Sequence, residues 1–139
     1  MSSSRPAAPA CTAKDLITAE ASGRTCEVIE GSLEEKAAPS PEHGSAQFAL
    51  SGLLFGPFGN AAGSGGSGQG GWWLMTEVEV QYELHEVYRH DLVGWLRARA
   101  PSRPIGRPVA LRPDWVCEIL SPSNASNDTV RKLRALHRA

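Results

Sequence analysis

The chain has 139 residues, of which 41% are hydrophobic and 21% charged, and its formal net charge is -1. This length fits one small domain, and the balanced charge excludes a global attraction to nucleic acid while leaving room for a local basic surface. No apolar run is long enough to span a bilayer, and no secretory leader is visible, so the sequence indicates a cytoplasmic protein without membrane contact.

The N-terminal part predicts a disordered leader followed by a short helix. Residues 1–12 are rich in Ser, Ala and Pro, which favours disorder. The helix is predicted over Ala13–Ala21, with Thr12 as N-cap, Leu16 and Ile17 on its apolar side, and Gly23 after its end. Residues 13–139 are then expected to form one domain.

The segment Thr25–Lys36 predicts a small hairpin, because Val28 and Ile29 favour a strand and Gly31 favours a turn. Its high Glu content leaves a helix as the alternative. Most of its carboxylates are expected to be solvated: Glu27, Glu30, Glu34 and Glu35.

Apolar residues at helical spacing predict a buried helix over Pro41–Phe55. His43 falls in its first turn, where a histidine is more often a surface or capping residue than a ligand. A Gly/Ser-rich loop is expected at residues 56–71. It lacks the G-K-[ST] ending of a phosphate-binding loop, so a flexible connection is favoured.

Two strands are predicted next, over Trp72–Glu83 and Val87–Leu96. In the first, the alternation places Glu77 and Glu79 toward solvent. In the second, Asp91 lies among apolar neighbours, where a carboxylate requires a partner.

A third strand is predicted over Trp115–Leu120, before a helix that opens near Asn127. Glu118 would share a face with Val116 and Leu120, so it needs a cation, a Lys or a backbone donor unless this is an edge strand with Glu118 in water. If this strand neighbours the strand that carries Asp91, the carboxylates of Asp91 and Glu118 could bind one ion. Carboxylate oxygens suit Mg²⁺ or Mn²⁺.

Cysteines and basic residues form two other groups of candidate side chains. The cysteines have neither C-x-x-C nor zinc-site spacing, which indicates reduced thiols, with Cys117 in the core. Basic residues cluster in two segments, which indicate either solvated surface or contacts with the phosphates of DNA. These residues are Arg97, Arg99, Arg103, Arg107 and Arg112, followed by Arg131, Lys132, Arg134 and Arg138.

Several motifs resemble the Uma-two family of restriction endonuclease-like domains, within the PD-(D/E)xK nuclease superfamily. They are C-E-V-I-E-G-S-L with P-S-P-E-H-G, then G-W-W-L-M-T-E-V-E-V, Y-R-H-D-L-V-G-W and P-D-W-V-C-E-I-L-S-P-S-N with the downstream Lys. The resemblance covers roughly residues 14–136. It implies an α/β (α+β) fold with a central mixed β-sheet flanked by helices.

The resemblance also implies a metal-dependent DNA endonuclease. It assigns Asp91 and Glu118 as metal ligands and Lys132 as the catalytic lysine, because Leu120 stands at the usual (D/E)xK position. Glu27 and His43 match further family positions and are weaker candidates.

The sequence departs from the family pattern in ways that leave a second function open. His90 stands where the family has Pro, and Leu136 stands where it usually has Tyr. The family continues with another strand, so we expect this chain to lack the last strand and to expose a sheet edge, through which a homodimer could form. The alternative function is therefore a truncated, non-catalytic remnant or interaction module of the same fold.

Overall fold

The computed structural model describes residues 9–60, 71–120 and 127–138. These residues form three helices and five strands. Their bounds are α1 Ala13–Ala21, β1 Cys26–Ile29, β2 Ser32–Glu35, α2 Pro41–Phe58, β3 Trp72–Glu83, β4 Glu86–Leu96, β5 Trp115–Cys117 and α3 Asn127–Arg138. Among the described helices, none combines the length and the apolarity that a membrane crossing needs.

The sheet is built around β4. One edge of β4 pairs along its length with β3, and the other edge is shared by β1 near Val87 and by β5 at Leu92–Gly94. All these pairs are antiparallel, while an isolated parallel bridge joins Val80 to Val109. The predicted α/β fold with a helix-flanked sheet is confirmed, but among the described strands the sheet is antiparallel where a mixed sheet was expected.

The N-terminal predictions agree with the structure in bounds and differ in burial. Helix α1 has Thr12 as N-cap, whose backbone N–H donates to the Asp15 carboxylate at 2.9 Å, and Gly23 follows the helix with φ +81°. Leu16 is buried, but Ile17 is exposed, because only one side of this short helix contacts β1. The hairpin of β1 and β2 is confirmed over the alternative helix.

Helix α2 runs three residues further than predicted and is not buried. Its apolar residues are spread around the axis, so only a stripe at intervals of four can face the sheet. That stripe is half-buried: Ala46, Leu50, Leu54 and Phe58. Phe48, Leu53 and Phe55 remain exposed, and no residue of the helix is fully buried. The predicted loop at 56–71 therefore begins after Phe58, and residues 61–70 lie outside the described part, as do residues 1–8 of the predicted leader.

A reversal of side-chain direction occurs in β3 at Glu77, whose φ is +57°. Before Glu77, the side chains of Trp73 and Met75 face the core around Trp95. After it, Val78 and Val80 face the same core. The pairs Thr76–Leu92 and Val78–His90 flank Glu77, which is left out of the ladder opposite Asp91. A strictly alternating strand was therefore a wrong expectation at this point.

The predicted solvent exposure of Glu79 is also wrong, because this side chain is buried against Arg89 and Arg107. The third predicted strand is shorter than expected, since β5 ends at Cys117 and Leu120 is exposed. Cys117 is half-buried, whereas Cys26 is the fully buried cysteine, and all three thiols are free. In the described ranges, β5 is the last strand and α3 the last helix.

We predict that Val93→Ala lowers the free energy of unfolding by about 2–3 kcal/mol, because Val93 is fully buried beside Trp95 and the surrounding strands cannot close the cavity. Ile105→Ala is the control, since Ile105 is 85% exposed, and should change the free energy by less than about 0.5 kcal/mol. Urea unfolding of both variants measures the difference, and equal effects would contradict this placement of the core.

Candidate active site

Asp91 is a buried carboxylate that receives contacts from three separate parts of the chain. Its Oδ1 accepts a hydrogen bond from Lys36 Nζ at 2.9 Å, and its Oδ2 accepts from the backbone N–H of Ile119 at 2.7 Å. The Nε2 atom of His43, on the first turn of α2, lies 3.3 Å from Oδ1. The sequence predicted that the Asp91 carboxylate needs a partner. It has three, which are Lys36 just after β2, His43 on α2 and Ile119 just after β5.

Three side chains of the described residues form a group that could hold a metal ion. His43, Glu77 and Asp91 each offer one ligand atom, and these atoms lie within 4.8 Å of one another. Glu77 enters this group because its left-handed backbone conformation turns the side chain out of the strand's alternation. No residue pattern indicates that conformation, and the predicted alternation had placed Glu77 toward solvent.

Glu77 is oriented by two neighbouring side chains. Gln47 donates to Oε1 at 3.0 Å, and Arg89 Nε donates to Oε2 at 2.9 Å. Gln47 also donates to the Asp91 carbonyl at 2.9 Å, so it links the two strands at the site. Burial acts to raise the pKa of Glu77, but the charge of Lys36 and the bonds from Arg89 and Gln47 outweigh it and lower the pKa.

Glu118 is held by a different set of partners. His90 Nδ1 lies 2.7 Å from its Oε1, and Lys132 Nζ donates to the same oxygen at 3.0 Å. Burial acts to raise the pKa of Glu118, but the bond from His90 and the charges of Lys132 and His90 lower it to about 2. The carboxylate is therefore ionised over the whole physiological range.

Lys132 lies between two carboxylates. Its Nζ is 2.7 Å from Glu27 Oε2 and 3.0 Å from Glu118 Oε1, and the residue is 7% exposed. Burial acts to lower its pKa, but the charges of Glu27 and Glu118 exceed that effect and raise the pKa. Glu27 also accepts the backbone N–H of Arg89 at 2.8 Å, so the expectation that it is solvated is wrong.

The five side chains singled out from the sequence thus lie in one connected region, but in two groups. His43 contacts Asp91, while Glu27 and Glu118 contact Lys132. The register of β4 with β5 places Glu118 opposite Asp91 one step beyond the Leu92–Cys117 pair. The two groups meet at the Glu118–Ile119 peptide, whose N–H donates to Asp91.

A surface cavity of about 820 Å³ adjoins the first group, and it is lined by Lys36, His43, Gln47, Glu77, Arg89 and Ile119, among others. Lys36 is a functional candidate that the sequence analysis missed. It follows β2 directly, and no spacing motif relates it to Asp91. Leu120, at the usual lysine position, also lines the cavity.

Most arginines of the first basic segment contact the protein's own groups. Arg97 donates to the carbonyls of Gly59 and Trp72 and lies 3.7 Å from the Trp73 ring centroid. Arg99 donates a hydrogen bond to the Asp114 carboxylate, and Arg112 donates one to the Leu136 carbonyl. These guanidinium groups order the irregular segment between β4 and β5, which is a structural role that a list of basic residues does not reveal.

Comparison with known proteins identifies a family and a solved structure of similar fold. The Uma2 family model, described as "Putative restriction endonuclease", matches residues 13–139. A solved structure from Anabaena variabilis, described as "a putative nuclease belonging to DUF820", superposes with a TM-score of 0.71 at 18% sequence identity. The match covers 91% of this chain and 68% of that one. Among curated proteins, none matches.

The lowered pKa of Glu118 predicts a pH-dependent contribution to stability. A carboxyl whose pKa is about 2 in the folded protein against 4.5 ordinarily stabilises the fold above pH 4.5, and this contribution disappears as pH falls toward 2. The difference in free energy of unfolding between wild type and Glu118→Gln should therefore shrink by up to about 3 kcal/mol across that interval.

Chemical denaturation in the presence of a chelator measures this difference at each pH. Glu35→Gln removes an exposed carboxylate on β2 and supplies the baseline for loss of one surface charge. A gap between wild type and Glu118→Gln that stays constant down to pH 2 would contradict the assigned hydrogen bonds.

Proposed function

The chain belongs to the Uma2 family, and on that premise we propose that it is a metal-dependent endonuclease that hydrolyses phosphodiester bonds of DNA. The observation that carries the proposal is the close approach of His43, Glu77 and Asp91 at a surface cavity that Lys36 also lines. Anionic ligands beside a cation at an accessible cavity are the combination that metal-assisted phosphodiester hydrolysis requires.

The side chains of this group fit a divalent cation. Asp91 and Glu77 provide carboxylate oxygens, which suit Mg²⁺ and Mn²⁺, and His43 provides an imidazole nitrogen. A bound ion of this kind would polarise a phosphoryl oxygen and lower the pKa of water. We propose Asp91 as the central ligand, with Glu77 and His43 beside it and Glu118 contributing from the neighbouring group.

Glu118 is suited to accept hydrogen bonds or to bind a cation rather than to act as a general base. A base works best when its pKa lies near the operating pH, and the pKa of Glu118 is about 2. We therefore assign Glu118 to orienting the attacking water or the ion through its permanent negative charge.

Two lysines can oppose the negative charge that develops on the phosphate. Lys132 keeps its proton because Glu27 and Glu118 raise its pKa. Lys36 donates a hydrogen bond to Asp91 and lines the cavity. A positive charge fixed near the reacting phosphate stabilises the transition state without reorganisation. We assign Lys132 this role and place Lys36, with Arg89, along the path of the DNA backbone.

We predict that Asp91→Asn and Glu77→Gln abolish stabilisation by Mn²⁺ or Mg²⁺, because each removes a charged ligand. Wild type should gain about 2.7 kcal/mol at a metal concentration near 100 times Kd. Thermal unfolding with and without metal measures the gain. Glu79→Gln is the matched control: Glu79 lies on the same strand and also contacts Arg89, but it is outside the ligand group. Loss of the gain in this control would contradict the site.

We predict that Glu118→Gln abolishes Mg²⁺- or Mn²⁺-dependent nicking of plasmid DNA, while Lys132→Ala lowers the rate with a smaller effect on metal affinity. The first change removes a charge at constant size, and the second removes the cation that faces the phosphate. Equal nicking by wild type and both variants would indicate a contaminant or another site. Metal binding without nicking by wild type would favour the non-catalytic alternative.

Circular dichroism must accompany the nicking assay. Lys132→Ala leaves Glu27 and Glu118 without their shared cation, and breaking a buried ion pair costs several kcal/mol. Lys36→Met supplies a second test at a less buried lysine, and we expect slower nicking with the fold retained.

A further inference from the structure

Glu118 is contacted by a buried histidine that the proposed chemistry does not use. His90 is fully buried, and its two ring nitrogens have different partners. Nδ1 lies 2.7 Å from Glu118 Oε1, and Nε2 lies 2.6 Å from the hydroxyl of Tyr82. The Tyr82 ring meets the imidazole edge-on, with centroids 5.7 Å apart.

The chemistry of the two partners fixes which nitrogen carries the hydrogen. An ionised carboxylate can only accept, so Nδ1 must donate to Glu118. In a neutral imidazole Nε2 is then the acceptor, and the Tyr82 hydroxyl can donate to it. The three side chains therefore form a directed chain of hydrogen bonds from Tyr82 through His90 to Glu118.

The second donor to Glu118 reaches the same oxygen. Lys132 Nζ and His90 Nδ1 both contact Oε1. In the part of the chain that the structure describes, no donor contacts Oε2. Two donors on one oxygen fix the carboxylate plane and leave the other oxygen available for an ion or a water molecule.

We propose that His90 is a positioning residue for Glu118, with its Nδ1–H tautomer set by the ionised carboxylate and complemented by the Tyr82 hydroxyl at Nε2. The proposal rests on the proposed nuclease function for its catalytic consequence, but the hydrogen-bond assignment stands on geometry alone. The role belongs to a half-buried tyrosine on β3 and a fully buried histidine on β4, and neither is among the residues that line the cavity.

Substitution of His90 by asparagine or by glutamine tests the roles of its two ring nitrogens separately. The Asn amide can occupy the place of Nδ1 and donate to Glu118, whereas the Gln amide reaches the place of Nε2 and meets Tyr82 instead. We expect His90→Gln to lower kcat for metal-dependent nicking roughly 10–100-fold with KM for DNA unchanged. His90→Asn should retain most of the wild-type kcat.

The ¹⁵N chemical shifts of the imidazole, in metal-free protein at neutral to mildly alkaline pH, report the tautomer without any need for activity. We expect hydrogen on Nδ1 and none on Nε2. Tyr82→Phe should leave the hydrogen on Nδ1 but shift the Nε2 resonance, because it removes the donor to that nitrogen. Tyr88→Phe is the matched control. This tyrosine also packs edge-on against His90, but its hydroxyl donates to Glu86, so neither ring nitrogen resonance should change.

The outcomes separate the two proposals. Hydrogen on Nε2 in wild type, or equal losses of kcat in folded His90→Asn and His90→Gln, would overturn the positioning role. Wild-type protein with the expected tautomer but no nicking in Mg²⁺ or Mn²⁺ would overturn the nuclease proposal and, with it, the catalytic consequence of His90, while the hydrogen-bond assignment would stand.

Discussion

The long antiparallel pairing of β3 with β4 supports every other part of the structure. Strands β1 and β5 both add to the far edge of β4, and α2 packs against both members of the pair. A single left-handed residue in this ladder, Glu77, changes which side chains face the core. Because Asp91 lies opposite that residue, the irregularity brings two carboxylates together.

Desolvated charge is the second constraint, and the molecule meets it by pairing. Removing a carboxylate from water is costly unless donors or cations replace the lost hydration. Glu27 and Glu118 share Lys132, and Asp91 has Lys36 together with a backbone N–H. These pairs join α3, the segment after β2 and the chain after β5 to the centre of the sheet, so the electrostatics of the site also contribute to tertiary structure.

The same pairs suit the proposed chemistry. Lys36 and Asp91 neutralise each other in the free protein. When metal and phosphate bind, Asp91 could instead contact the metal ion and Lys36 the phosphate. His90 adds a second hydrogen-bond donor to Glu118 and helps to orient this carboxylate. His90 stands where the family resemblance implies Pro, and it therefore introduces a hydrogen-bond donor at the site.

The sequence by itself determined the order of elements, the family and the region of the site. Periodicity and turn residues located β3, β4 and the β1–β2 hairpin. Their apolar strand neighbours singled out Asp91 and Glu118, and motif resemblance added Lys132. Only the tertiary structure decided which carboxylates share neighbours. The positive φ of Glu77, the approach of Lys36 and the burial of His90 depend on contacts between residues 28 to 55 positions apart. Local propensity carries no information on such contacts, because they form only when separate strands and helices pack.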